Sequence, residues 1–427
     1  MKKILIEGRL LSTYRIVYNG ENRAAGFVAK KLQEWIASTC GVKPDTVTEG
    51  VREDLCGCIV LGAYGAHSLE ATAYGDCEMY VKDGAVFVDA DDIVGLTEGA
   101  AYLAALLTLT TDAAVTGEML KYSTKLQPRE EYLADAGAFL PAYRLMHHVP
   151  KEELTLDYKK RKFNDPNGRS FIIAHRCEHI FYPENSLESA ISAWRCGADS
   201  IELDIQKSSD GVWFCMHDGS LTRTTNATDY VGKDGFPDTL QAVEWSYSQL
   251  RALRLKDRFG KLTPFPIPSL EEVLKACDGR MYIHLDKSFS YVNDIFPLME
   301  KVGVYEPVYL VNNIGFGGIL QLKDRYAEKG VRLQNMVRTW SAEATAEVAE
   351  KLLAQGDHIT PAVIPLGDFV KFGDEDFAVI DRYAGRLRIG AWFLRDFDYE
   401  ELWRQGRRHG INIIMTDHPM DVIALGI

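Results

Sequence analysis

From Phe171 to the C-terminus the chain repeats one pattern, a short apolar run followed by an amphipathic stretch. The strand-like runs are 171–175 (FIIAH), 199–205 (DSIELDI), 212–217 (VWFCMH), 280–286 (RMYIHLD), 307–311 (PVYLV), 333–338 (LQNMVR), 361–365 (PAVIP), 387–392 (LRIGAW) and 411–415 (INIIM). Helical stretches at 186–196, 269–277, 315–329, 342–354 and 397–409 lie between them. Strands that alternate with helices pair in parallel, because a crossover helix returns the chain to the same end of the sheet. Over this length the pattern predicts a TIM (β/α)8 barrel. Nine runs are present where a barrel takes eight, so one of them is extra or misread.

Upstream the pattern is different. Residues 23–37 carry Ala24, Phe27, Val28, Leu32, Trp35 and Ile36 near a 3.6 period, which predicts a helix. Residues 57–62 read as a strand, and 77–90 as a hairpin around Lys82-Asp83-Gly84. Residues 95–109 are an Ala/Leu-rich helix, and Thr116 to Pro141 reads as a helix or hairpin. The expected organisation is a small non-catalytic α/β domain at 1–120, a connecting segment at 121–169 and the barrel at 170–427.

A barrel places its chemistry at the C-terminal ends of its strands. The first four runs end there in ionisable groups: His175-Arg176, Glu202-Leu203-Asp204, His217-Asp218 and His284-Leu285-Asp286-Lys287. Glu202 and Asp204 are two apart and face one side of a strand. With Asp286 they make three oxygen ligands, a set for Mg²⁺ or Ca²⁺. His175 and His217 are a pair for general acid–base work. Arg176 offers a planar fork to phosphate oxygens, and Lys287 is a second cation. Histidines, cations and a hard metal together point to phosphate-ester chemistry.

Composition limits the alternatives. With 48 Lys+Arg against 61 Asp+Glu, the net charge is −13, which argues against a general nucleic-acid binder. No apolar run is long enough to span a bilayer, and Ile4-Leu5-Ile6 is too short for a signal-peptide core. Eight scattered cysteines show no disulfide-scaffold spacing. Cys56-Gly-Cys58 has no second Cys/His pair at zinc-finger spacing. A cytoplasmic location is expected. The oligomeric state is open, a homo-oligomer included.

Residues 174–225 strongly resemble the glycerophosphodiester phosphodiesterases. The resemblance lies in His175-Arg176, Pro183-Glu184-Asn185, Gly197-Ala198-Asp199 with Glu202 and Asp204, Asp210-Gly211, His217-Asp218 and Arg223-Thr224-Thr225. Pro268-Ser269-Leu270-Glu271-Glu272, Ala391-Trp392 and Thr416-Asp417-His418-Pro419 extend it toward the C-terminus. It implies a TIM barrel that hydrolyses a glycerophosphodiester to glycerol 3-phosphate and an alcohol with a divalent metal. It implies Glu202, Asp204 and Asp286 as metal ligands and His175 and His217 as the acid/base pair. Arg176 and Lys287 would hold phosphate, Glu184 would shape the site, and Trp392 would pack beside the glycerol part. The order of elements in residues 1–110 resembles the non-catalytic domain of β-hexosaminidases and α-glucuronidases.

The chain departs from the family at two places. Cys177 stands where the family has glycine, which predicts an altered loop with Glu178 and His179 near the site. His284-Leu285-Asp286-Lys287 replaces Asn-Ile-Glu-x-Lys, so Lys287 must sit past the strand end. His179 and His284 read as neighbours rather than catalysts, and Arg223 as a loop brace or a substrate contact. Residues 312–318 (NNIGFGG) lack a Walker lysine and read as a βα loop. Three other functions compete. The first is a phospholipase D-like lyase that forms a cyclic phosphate on the same fold. The second is a glycosidase, which needs two carboxylates roughly 5–10 Å apart and no metal. The third is a non-catalytic binding module, which has no use for both histidines.

Overall fold

The computed structural model describes residues 4–48, 54–65, 67, 69, 73–109, 114–125, 149–286, 288–304, 308–312, 334–339, 341–354, 362–364 and 373–427. The chain divides into two compact units, Met1–His148 and Val149–Ile427.

In the first unit, β1 (Leu5–Ile6), β2 (Arg9–Leu10) and β8 (Ala114–Val115) make a small sheet. A six-stranded sheet comprises β3 (Arg15–Tyr18), β4 (Asp45–Val47), β5 (Cys58–Leu61), β6 (Cys77–Lys82), β7 (Ala85–Asp89) and β9 (Tyr122–Thr124), in the order β4-β3-β5-β7-β6-β9. The expected helices form at Arg23–Cys40 and Ile93–Leu109. Asn22 caps the first by accepting a hydrogen bond from the Ala25 amide. The expected hairpin is β6–β7, with Asp83 and Gly84 in the left-handed conformation its tight turn requires. Of the stretch from Thr116 to Pro141, residues 126–141 lie outside the described residues.

In the second unit, β10 (Phe171–Ala174), β11 (Ser200–Lys207), β13 (Tyr282–Asp286), β14 (Val308–Asn312), β15 (Gln334–Arg338), β16 (Ala362–Ile364), β17 (Ile389–Phe393) and β18 (Ile411–Thr416) pair in sequence, all parallel. β18 pairs back onto β10, so these eight strands close a barrel. The extra run is 212–217. It contains β12 (Trp213–Cys215), which pairs antiparallel with the outer end of β11 and is no barrel strand. The reason is local: β11 runs on to Lys207, and Ser208–Val212 turn the chain back with Gly211 at φ 88°. The expected helices stand at Leu187–Arg195, Leu270–Cys277, Ala342–Ala354 and Glu400–Arg408. The expected helix at 315–329 lies outside the described residues. Among the described residues no helix is long and apolar enough to cross a membrane.

Alternation along each strand separates two apolar layers. Ile172, Ile389, Ala391 and Ile414 point outward to the helices at 342–354, 374–381 and 400–408. Phe171, Ile173, Tyr282, Ile413 and Met415 point inward and are sealed by Phe163 from the helix Leu156–Asn164. That helix is clamped by buried Arg388, which donates to the carbonyls of Lys162 and Phe163 at its C-terminal end and to Asn412. The clamp uses the partial negative charge of a helix C-terminus.

The same helix buries Lys159 completely, with no hydrogen-bond partner for its amine. Burial lowers its pKa to about 8, against an opposing pull from Asp199. The folded state therefore binds fewer protons than the unfolded chain between about pH 8 and the ordinary lysine value. Stability from this group rises through that window and is lost as pH falls through about 8. Below it the charged amine costs about 3 kcal/mol. The expected result is that Lys159→Met is more stable than wild type at pH 7, by up to that amount, with the difference shrinking toward pH 10.5. Thermal unfolding of both proteins across pH checks this; a constant difference would contradict it.

Candidate active site

The inward register that builds the apolar floor also builds the mouth. Two residues beyond Ile173 is His175, and two beyond Met415 is Asp417. On β11 the inward positions end in Glu202 and Asp204, and on β13 in His284 and Asp286. Cross-strand register sets Glu202 beside His284 and Asp204 beside Asp286. On β17 the inward side chain is Trp392, followed by Leu394. These nine residues other than Ile173, with Arg176, His179 and His217, line one cavity of about 330 Å³.

Glu202, Asp204 and Asp286 offer carboxylate oxygens that lie within 4.8 Å of one another. Among the described residues this is the one such cluster. Burial, and then repulsion from Asp204 and Asp286, pushes the Glu202 carboxyl well above its ordinary value. Three carboxylates crowded in a desolvated pocket demand a cation or protons. Their hard oxygen donors suit Mg²⁺ or Ca²⁺.

Each of the two predicted histidines rests on its own carboxylate. His175 Nδ1 lies 2.7 Å from Asp417 Oδ1, and His217 Nδ1 lies 2.7 Å from Asp218 Oδ1. A carboxylate on Nδ1 fixes the tautomer and leaves Nε2 for proton exchange. Asp218 is in turn held by Arg223 Nε at 2.6 Å, and that bond keeps its carboxyl well below the usual range. Behind Asp417 lies buried Asp398. It accepts hydrogen bonds from Thr416 Oγ1, Trp403 Nε1 and the Asp417 amide. Burial pushes the Asp398 carboxyl up to about 8 against those donors.

The loop after β10 is wound tightly. Arg176, Cys177 and Asn185 all have positive φ, at 50°, 68° and 56°. Cys177 thus keeps the left-handed conformation that glycine most readily adopts. The turn aims the Arg176 amide at Glu202 Oε2, 2.8 Å away. The Arg176 side chain reaches Glu184 Oε1 at 3.2 Å and Asp204 Oδ2 at 3.6 Å. Asn185 exchanges two hydrogen bonds with Asp204. Burial works against the Glu184 charge, but the Arg223 hydrogen bonds and the Arg176 and Arg223 charges outweigh it and hold the carboxyl low.

The structure brings His175, Arg176, Glu202, Asp204, His217, Asp286 and Trp392 to one cavity. Glu184 stands behind it as the bridge between Arg176 and Arg223, which donates to both of its oxygens. Lys287 lies outside the described residues, as do residues 313–318 of the glycine-rich run. Glu178, expected near the site, is buried away from it against Ser192 Oγ and the Ile180 amide. Cys177 is buried with its thiol pushed well above the ordinary value by desolvation, which makes it inert as a nucleophile. His217 reaches the mouth from the returning strand β12, not from a barrel strand: the Met216 amide bonds the Asp204 carbonyl. Three ionisable cavity residues received no catalytic or ligand role from the sequence: Asp417, and His284 and His179, which read as neighbours. Period-two counting finds the first two, from Met415 and from Asp286.

A family model described as the glycerophosphoryl diester phosphodiesterase family matches residues 175–360. A glycerophosphodiester phosphodiesterase of Bacillus subtilis is 35% identical over 135 residues, 31% of this chain and 44% of that protein. A glycerophosphoinositol inositolphosphodiesterase of Mus musculus is 33% identical over 133 residues, 27% of this chain and 24% of that protein. The chain thus spans less than half the length of these relatives. The crystal structure of a glycerophosphoryl diester phosphodiesterase from Parabacteroides distasonis shares the fold, with a TM-score of 0.50 at 21% identity over 63% of this chain and 90% of that one. The likeness to the glycerophosphoryl diester phosphodiesterase family thus lies in residues 175–360, less than half of the chain.

Proposed function

We propose that this chain hydrolyses a small glycerophosphodiester to glycerol 3-phosphate and an alcohol. The observation that carries the reading is the meeting of two carboxylate-braced histidines and three clustered carboxylates around one cavity. Glu202, Asp204 and Asp286 hold a divalent cation in this reading, Mg²⁺ or Ca²⁺. When bound, the cation supplies positive charge that phosphoryl oxygens can share. Arg176 adds a guanidinium beside it, already aimed by Glu184 and Asp204. One histidine Nε2 takes the proton of the attacking hydroxyl, from water or from the substrate's own glycerol. The other gives a proton to the departing alkoxide. Trp392 supplies an apolar wall for the carbon skeleton, and Lys287 is kept as a second phosphate-binding cation. Glu184 serves phosphate binding through Arg176. In this reading residues 1–120 take no part in the chemistry, and the described cavity residues fall between 175 and 417. The partner is a small molecule and no nucleic acid. A cytoplasmic setting belongs to the same proposal, on the scattered spacing of eight cysteines.

The test is glycerol 3-phosphate release from a panel of glycerophosphodiesters with Mg²⁺, with Ca²⁺ and with EDTA. The expected result is release that EDTA stops and one of the ions restores. A cyclic phosphate without free phosphomonoester would replace hydrolysis by the lyase reaction. Release unaffected by EDTA would overturn the metal part, and no turnover of any member the reading itself.

A further inference from the structure

Asp398 is a buried carboxylate to which the phosphodiester reading assigns no role. It is 8% exposed and does not line the cavity. It stands between the end of β17 and the helix Glu400–Arg408, on the segment that also carries Trp392 and Leu394. Its hydrogen bonds show where it acts. Thr416 Oγ1 donates to both oxygens, at 2.7 and 2.8 Å. The Asp417 amide donates to Oδ2, and Trp403 Nε1 to Oδ1 at 2.7 Å. Burial, and the charge of Asp417, oppose ionisation of Asp398, and these donors work the other way. Two of the three donors belong to the turn that aims Asp417 at His175.

That turn depends on an acceptor outside the strand ladder. The β17–β18 ladder ends at the pair Phe393–Thr416, so Asp417 lies one residue past it. Its amide is taken by Asp398 instead of a strand carbonyl. The Thr416 hydroxyl, which donates to Asp398, accepts in turn from the His418 amide at 2.8 Å. From Thr416 and Asp417 two bonds reach one histidine. The His175 amide donates to the Thr416 carbonyl at 3.0 Å, and His175 Nδ1 lies 2.7 Å from Asp417 Oδ1.

We propose that Asp398 is a positioning residue for His175. It holds the Thr416–Asp417 turn, and through it the Asp417 carboxylate on His175 Nδ1. The ring then keeps the tautomer that leaves Nε2 open for proton transfer. The inference rests on the phosphodiester reading, in which His175 belongs to the acid/base pair. It adds a residue outside the cavity that governs one member of that pair.

The test has two arms, both on the full chain with Mg²⁺ or Ca²⁺ present. In steady-state kinetics Asp398→Ala is expected to lower kcat about tenfold, with KM within about twofold of wild type, the size of effect of losing an outer partner. In an Asp417→Asn background the same substitution should change kcat by less than about twofold, because the group it acts through is already gone. The second arm needs no turnover. It reads nitrogen-15 spectra of histidine-labelled protein, with the His175 signals identified by their loss in His175→Gln. Wild type is expected to show the Nδ1–H tautomer at His175, and Asp398→Ala a mixture with the Nε2–H form. Equal losses of kcat in the two backgrounds overturn the proposal, since a merely structural role gives that result. A kcat for Asp398→Ala within about twofold of wild type, or an unchanged His175 tautomer, also overturns it. If Asp398→Ala does not fold, Thr416→Val, of similar shape without the hydroxyl, runs both arms with the same expected outcomes. A wild type inactive in the release assay defeats the hydrolysis reading, and the tautomer arm then decides the positioning role separately.

Discussion

On the proposed reading His217→Ala is expected to lower kcat for glycerol 3-phosphate release by about 10³-fold, within the usual range for loss of a general acid or base. The expected size follows from how much structure is spent on one ring. Asp218 takes His217 Nδ1 with one oxygen and Arg223 with the other. Arg223 also makes two hydrogen bonds to Glu184, which reaches Arg176. This chain of alternating charges keeps Asp218 ionised and the ring in one tautomer, so the proposed proton transfer needs no rearrangement. The measurement is steady-state kinetics with the metal saturating, alongside His217→Gln. A glutamine in place of the ring can still hydrogen-bond but cannot shuttle a proton. It should be as inactive as alanine, with KM near wild type. A variant within tenfold of wild-type kcat would remove His217 from the chemistry.

The second large effect is on metal binding. Asp204→Asn is expected to weaken Mg²⁺ or Ca²⁺ binding by about 100-fold or more and to stop turnover, as loss of a direct ligand exceeds the effect of an outer partner. Its effect on stability has the opposite sign in the absence of metal. Asp204 faces Asp286 across the strand pair and shares the pocket with Glu202, so neutralising it relieves repulsion among buried carboxylates. The metal-free variant should melt at or above wild type. At a metal concentration of about 100 Kd, wild type gains about 2.7 kcal/mol, or roughly 5–10 °C for a unit of this size. The variant should gain almost none of it. Thermal scans with metal and with EDTA read both signs. A full metal-dependent rise in the variant would show that the ion is held elsewhere.

Much of the site was legible because strand geometry translates spacing into direction. Glu202 and Asp204 had to share a face. The ionisable ends of the apolar runs had to gather at one mouth once the barrel closed. His179 was read only as a neighbour of the site for a physical reason: it stands on an irregular loop, where no period assigns direction. Only the left-handed turn at Arg176 and Cys177 brings it into the cavity. The nine strand-like runs show the same boundary. An apolar run marks a buried strand, but not whether it pairs in parallel within the ring or folds back on the outer end of β11, as Trp213–Cys215 does.

The sequence by itself determined the alternating strands and helices, their faces, the hairpin at Asp83-Gly84 and the residue types that meet at the mouth. These are local matters, set by period, turn chemistry and the position of charge relative to apolar runs. Tertiary structure alone decided which carboxylate braces which histidine. The partners His175 and Asp417 are 242 positions apart and meet because β18 pairs with β10 to close the ring. It also decided that Glu184 turns to two arginines behind the cavity and that Lys159 is buried under the barrel floor. Contacts between distant segments depend on barrel closure and loop path, and neither is encoded in the spacing of neighbouring residues.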